Sequence, residues 1–167
     1  MKLEPPDSMH VSAAEGWLGL GNWQEAEEEL KRVDPALLNH PEVLAVKMDI
    51  FSQAKNWDAA AALAEQLKKL TPDHAGIAVA HAYAVRRKTG GGIEQAREIL
   101  EIAHRKFTKS ATIVYNLACY ECQLGNLDKA RQWFQKATEI AGLQTIRGMA
   151  LADKDLEPLW AEIRELI

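Results

Sequence analysis

The 167-residue chain has little of what most often betrays a function. It has two cysteines, Cys119 and Cys122, too few for a disulfide scaffold, which makes the cytoplasm the default expectation. Basic residues are outnumbered, 20 Lys and Arg against 24 Asp and Glu, for a formal charge of −4. A sequence-independent hold on nucleic acid needs a basic face, so no nucleic-acid partner is expected. Apolar runs are short, well under the ~18 residues of a spanning helix, and no membrane association is predicted. The opening residues MKLEPPDSMH are followed by no apolar stretch and do not read as a signal peptide. The glycine-rich TGGG at 89–92 lacks the Lys-Ser/Thr of a phosphate loop and reads as a loosened turn.

Carriers of chemistry are also scarce. Cys119 and Cys122 form a CxxC, but no second Cys pair or His pair completes a zinc site. The pair falls mid-helix instead of at the helix start, where the dipole would lower a thiol pKa. His10, His40, His74, His81 and His104 are scattered, with no i, i+4 pair around a Glu. His40 and His74 precede predicted helix starts and suit turn or capping roles. The run Glu25, Glu27, Glu28 and Glu29 reads as the solvated side of a helix, with Glu27–Lys31 and Glu28–Arg32 as i, i+4 pairs. No catalytic residue, metal or cofactor is expected.

What the chain does have is repetition. GNWQEA at 21–26 returns as KNWDAA at 55–60 and GNLDKA at 125–130, with a weaker echo, GGIEQA, at 91–96. Trp23, Trp57, Ile93 and Leu127 share one position of the phrase, and Ala26, Ala60, Ala96 and Ala130 another. The intervals are 34, 36 and 34 residues, a period that marks stacked supersecondary units. The predicted units are 7–40, 41–74, 75–110 and 111–144. Their first helices carry apolar residues at positions 4, 8 and 11, such as Leu44, Met48 and Phe51, or Ala78, Ala82 and Val85. Their second helices carry Ala at 20, then Leu30, Ala64, Leu100 and Phe134 at 24, then Val33, Leu67, Ala103 and Ala137 at 27. The small Ala lets the two helices approach closely.

These positions resemble the tetratricopeptide repeat, with its small residue at 8, Gly near 15 (Gly21, Gly125), aromatic near 17, Ala at 20 and Pro at 32 (Pro72). The resemblance covers roughly residues 7–144 and implies an all-α, right-handed α-solenoid of four helix-turn-helix units in a single domain, 1–167. YNLACYECQLG at 115–125 and ALADKDLEPLW at 150–160 are similar to the closing module of many bacterial tetratricopeptide proteins. Residues 144–152 are predicted helical, with Ile146, Met149 and Ala150 as their stripe. Residues 155–167 read as a capping helix with Asp155 as N-cap, Pro158 in the first turn, and a stripe of Leu156, Leu159, Trp160, Ile163 and Leu166.

In such a solenoid the first helices line a concave groove, presenting positions 2, 5, 9, 12 and 13 opposite the buried stripe. This places Glu15 and Asp49 in an acidic N-terminal half, and Tyr83, Arg86, Arg87, Tyr115, Asn116 and Cys119 in a basic and aromatic C-terminal half. The expected function is a non-catalytic protein-protein interaction module or scaffold that docks a protein or peptide segment, whose carboxylates meet Arg86 and Arg87. The two-carboxylate clamp of chaperone-binding members is absent, because Val79, Tyr83, Ile146 and Ala150 stand where its bases and Asn belong. Alternatives are a secretion or assembly chaperone, a self-associating subunit that buries a copy of itself, and, weakest, an enzyme.

Overall fold

The computed structural model describes residues 3–166. Met1 and Lys2 of the opening stretch, and Ile167 at the end of the predicted capping helix, lie outside the described residues. Among the described residues the chain is all-α and divides at Gly90–Gly91 into two compact units.

The N-terminal unit holds α1 (Asp7–Gly19), α2 (Trp23–Leu30), a 3-10 turn (Pro35–Leu37), α3 (Pro41–Gln53), α4 (Trp57–Leu70) and α5 (Ala75–Val85). Each helix packs on the next in sequence, and α1 also meets α3. One core joins Leu3, Val11, Ala14, Ala26, Leu30, Val33, Val43, Val46 and Ile50, while a second joins Leu44, Met48, Ala64, Leu67 and Ile77. The C-terminal unit holds α6 (Ile93–Lys106), α7 (Ala111–Gln123), α8 (Leu127–Ala141), α9 (Leu143–Ala150), a 3-10 segment (Lys154–Leu159) and α10 (Trp160–Glu165). Here α7 lies against α6, α8 and the 3-10 segment, and is buried along nearly its whole length.

The recurring phrase does what its residue types demand. Ala26, Ala60, Ala96 and Ala130 are each 0% exposed, so none has room for a larger side chain where helices touch. Asn22 and Asn56 are N-caps, accepting from the backbone N–H of Glu25 and Ala59. His40 also caps its helix, accepting from the N–H of Glu42 at 3.3 Å. His74 holds the N-cap position of α5 without a side-chain cap.

The residue before each Asn turns the chain through the left-handed region. Gly21 and Gly125 stand there at φ 75° and 79°, and Lys55 at φ 58°. An L-residue with a Cβ is strained in that region by about 1–2 kcal/mol, partly offset by the greater unfolded-state freedom of Gly. Lys55→Gly is therefore expected to raise stability by about 0.5–1 kcal/mol. The check is a higher urea midpoint at unchanged slope.

Several local expectations need correction. The first helices bury two faces, not one stripe: in α3, Val43, Val46 and Ile50 join Leu44 and Met48 in the core, while Phe51 is only half-buried. The second face arises because α3 packs on both α2 and α4. The acidic run pairs at i, i+3, Lys31 with Glu28 and Arg32 with Glu29, because α2 ends at Leu30 and its last turn tightens. Glu29 is half-buried and bonds His10 of α1 at 3.0 Å. Asp153, not Asp155, caps the C-terminal segment: its Oδ1 accepts from the Asp155 N–H, and the segment opens as a 3-10 turn before α10. Met149 faces solvent, leaving Ile146 and Ala150 as the buried residues of α9.

Candidate functional site

Glu15 of α1, Asp49 of α3 and Tyr83 of α5 recur every 34 residues in the N-terminal unit, and all three are exposed. They are exposed because the core faces of those helices point elsewhere, through Ala14, Met48 and Ala82 one residue earlier. Asp49 is open to water at its own surface, yet its carboxyl is pushed above the usual range, first by desolvation and then by the Glu15 charge. Gln53 Nε2 donates to the Leu18 carbonyl at 2.9 Å and ties the end of α3 to α1, holding the two acid-bearing helices in register.

Just past the end of α5 a cationic group is held against two aromatic rings. The Arg87 guanidinium lies 3.4 Å from the Tyr83 ring centroid and 5.5 Å from that of Trp57. Tyr83 and Trp57 meet edge to face at 5.7 Å. Arg87 Nη1 donates to the Tyr83 carbonyl at 3.0 Å. Stacking and this bond fix the plane of the guanidinium, so its other N–H groups are oriented before any ligand arrives. Arg86 is half-buried and likewise engaged within the protein. Sequence reasoning missed Trp57 as part of this cluster, having placed it only at a shared position of the repeated phrase. Its place 26 residues before Tyr83 carries no periodic signal.

The C-terminal candidates are a correction. Tyr115 and Cys119, expected on the open groove, are buried. The Asp153 carboxylate accepts from the Tyr115 hydroxyl at 3.0 Å and from the Cys119 thiol at 3.5 Å. Gln123 Nε2 donates to the Asp155 carbonyl at 2.9 Å, and Leu156 and Leu159 bury themselves beside this contact. The chain's own acidic segment thus covers two residues that the sequence reading placed on the open groove. Asn116 is half-buried and donates to the Thr112 carbonyl at 2.8 Å.

Burial, followed by the neighbouring Cys119 and Asp153, drives the Tyr115 pKa upward. Burial and then Asp153 do the same for the Cys119 thiol, and burial and Asp155 raise Cys122. Neither cysteine is an activated nucleophile, because activation requires the opposite shift. Among the described residues no cluster of His, Cys, Asp and Glu is arranged to hold a metal ion, and no helix is long and apolar enough to cross a membrane.

A further polar feature escaped the repeat pattern. Glu121 is 0% exposed, at the position where the earlier first helices have Trp17, Phe51 and Val85. Asn126 Nδ2 donates to it at 2.7 Å, and Arg97 Nη1 stands 3.7 Å from its other oxygen. His81 is buried with Nδ1 unpartnered and Nε2 3.5 Å from Glu65. Burial and then Lys68 hold its pKa below the ordinary imidazole value, so it is a neutral ring at physiological pH.

No family profile matches the chain, and no curated protein matches it. Solved structures do, along nearly the whole length. The 41-end form of MamA from Desulfovibrio magneticus RS-1 superposes with a TM-score of 0.69 at 18% identity, covering 99% of this chain and 97% of that one. The RS-1 MamA ArsTM double mutant gives 0.68 at 17%, covering 98% and 96%. TTC0263, a thermophilic tetratricopeptide protein of Thermus thermophilus, gives 0.68 at 19%, covering 96% and 100%. The chain has the tetratricopeptide-repeat fold. At this identity the likeness concerns backbone, and it accounts for the fixed period of the buried Ala positions. The exposed Glu15, Asp49 and Tyr83 belong to α1, α3 and α5, the successive first helices of this fold.

Proposed function

We propose that the chain is a non-catalytic protein-interaction module whose working surface is the first-helix face of its N-terminal unit. The observation that supports this most strongly is the uncovered row of Glu15, Asp49 and Tyr83 on three successive first helices. Two acids at equivalent positions, one of them desolvated and repelled by the other, form a place where a cation relieves the repulsion. The Tyr83–Arg87–Trp57 cluster offers a rigid aromatic surface with oriented donors, suited to an apolar side chain next to a carboxylate. The partner this face fits is an extended or helical segment with Lys or Arg at one end and an apolar-acidic pair at the other.

The test uses a labelled peptide of that pattern and its charge-swapped counterpart, titrated into the protein at low and high salt. The basic-ended peptide is expected to bind, to be released as salt screens the charges, and to lose more than about tenfold in affinity when Glu15→Lys and Asp49→Lys are combined, a loss of about 1.4 kcal/mol. Equal affinity before and after the double substitution, or binding indifferent to both charge pattern and salt, would sink the proposal. The second outcome is what a chaperone for apolar clients would give.

A further inference from the structure

Helix α2 stops early. It has 8 residues, where α4 and α6 have 14 and α8 has 15. The cause is the Asp34–Pro35 pair, since proline has no N–H to donate and disfavours helical backbone in the residue before it. Asp34 accordingly leaves the helical region at ψ 127°. Its N–H donates to the Asp7 carboxylate, and its own carboxylate accepts from the Ala36 N–H as the 3-10 turn begins. The missing turns leave a hollow of about 380 Å³ between the end of α2, the 3-10 turn and α3. Its walls are Leu30, Val33, Leu38, Val43, Ile50 and Phe51. Leu38 is 42% exposed and Phe51 half-buried, so part of this apolar wall is open to water. A hollow of this size, mostly apolar with a few polar groups converging on it, has the form of a small-ligand site.

The polar groups say which ligand. Lys31 and Lys47 line the hollow together with one acid, Glu27. Lys31 is engaged by Glu28, and Glu27 lies within range of its charge. Lys47 makes no ion pair among the described residues, and its ammonium stands 5.9 Å from the centre of the Phe51 ring. One repeat later, 34 residues on, the counterparts of Lys31 and Lys47 are Glu65 and His81, which face each other at 3.5 Å. There the chain provides its own acid opposite the imidazole. Here both positions carry a cation, and the acid is left to come from outside.

We propose that this hollow binds a small monocarboxylate with an apolar body, the body filling the space that α2 leaves and the carboxylate meeting Lys47. The apolar walls supply the larger part of the affinity by removing the body from water, and the ammonium sets the sign of the head group through a charge-assisted hydrogen bond. Glu27 opposes the anion from the other wall, so the site is tuned by two charges of known position in the sequence. Lys47 and Asp49 are two residues apart and project from opposite sides of α3. The hollow is therefore separate from the face that carries Glu15 and Asp49.

The test titrates octanoate into the full chain, with octylammonium as the same tail under the opposite charge, and follows the backbone amides by nuclear magnetic resonance. Octanoate is expected to shift the amides of residues 30–38 and 43–51 saturably, with a dissociation constant of roughly 0.1–1 mM. Octylammonium should bind at least about tenfold more weakly. Lys47→Met keeps the apolar stem at an exposed position and should weaken octanoate about tenfold. Glu27→Gln, which removes the opposing charge from an exposed position, should tighten it about two- to threefold. Equal binding of the two head groups, an octanoate affinity unmoved by Lys47→Met, or shifts confined to other residues would each overturn the proposal. So would tighter binding here of an end-blocked peptide with Phe beside Glu, because the occupant would then be a protein segment.

Discussion

Replacing Arg97 with Ala is expected to destabilise the C-terminal unit by about 3–5 kcal/mol, the scale for stripping the partner from a buried charge. Glu121 is fully buried on α7, and the Arg97 side chain, itself mostly covered, is the cation that faces it, at 3.7 Å. The separation is too long for a good hydrogen bond, so the pair is held by charge, with Asn126 satisfying the other carboxylate oxygen. The loss is asymmetric. Glu121→Leu leaves an arginine that already approaches Glu101 on its own helix and retains some access to water, and the apolar residue restores the character seen in Phe51 and Val85 at the same repeat position. That variant should cost far less than Arg97→Ala. In the Arg97→Ala background, Glu121→Gln should recover most of the loss, because it removes the buried charge and keeps an acceptor for Asn126. Chemical denaturation of the parent, Arg97→Ala, Glu121→Gln and their combination gives the cycle, with Glu121→Leu measured beside it. Equal costs for Arg97→Ala and Glu121→Leu, or no recovery by Glu121→Gln, would show that the pair is not what holds this part of the unit.

The repeat register was legible because it rests on steric demands that few residues meet. Ala at a helix contact and Gly or Asn at a left-handed turn and cap each follow from one position's local requirement, and they recur because the local structure recurs. That reasoning reached the all-α repeat architecture and the burial of Ala26, Ala60, Ala96 and Ala130. It reached the candidate surface less well, since a periodic pattern says which face of a helix is not core to its own repeat and nothing about what else lies there. Cys119 occupies the position of the exposed Glu15, Asp49 and Tyr83, yet residues 153–156 cover it together with Tyr115, whose counterparts Val11, Ala45 and Val79 are themselves buried or half-buried. The acids of residues 153–155 are visible in the sequence, but pairing Asp153 with Tyr115 needs a contact across 38 residues, which no repeat pattern supplies. Arg87 was seen as a charge and not as a stacked plane, because stacking depends on where Trp57 and Tyr83 lie in space. Glu121 breaks the apolar character of the position held by Trp17, Phe51 and Val85, and such a misfit is where a buried ion pair should be sought.

Leu156→Ala should open the C-terminal segment and make the two cysteines reactive. Leu156 is 0% exposed, seated against the α7 side of the unit within the 3-10 segment. Truncating a buried Leu costs about 2–5 kcal/mol through lost transfer energy and the remaining cavity. In the intact protein Cys119 is doubly protected, by enclosure and by a pKa pushed upward through burial and the Asp153 carboxylate, and thiol reagents attack the thiolate. Labelling therefore requires opening, and a local opening made about 2–3 kcal/mol easier raises the labelling rate roughly 30- to 150-fold. Leu100→Ala on α6 removes an equally enclosed side chain without touching the segment. If the segment opens by itself, Leu156→Ala accelerates labelling far more than Leu100→Ala at matched stability loss, whereas equal acceleration would mean that the whole unit unfolds together. Asp153→Asn separates the two protections. Its single carbonyl oxygen keeps the bond from the Asp155 N–H, its amide NH2 turns to the Tyr115 hydroxyl, which then accepts instead of donating, and the charge that disfavours the thiolate is removed. Labelling, compared at matched stability, should therefore begin at lower pH than in the parent. An unchanged pH profile for Asp153→Asn would show that enclosure alone guards Cys119.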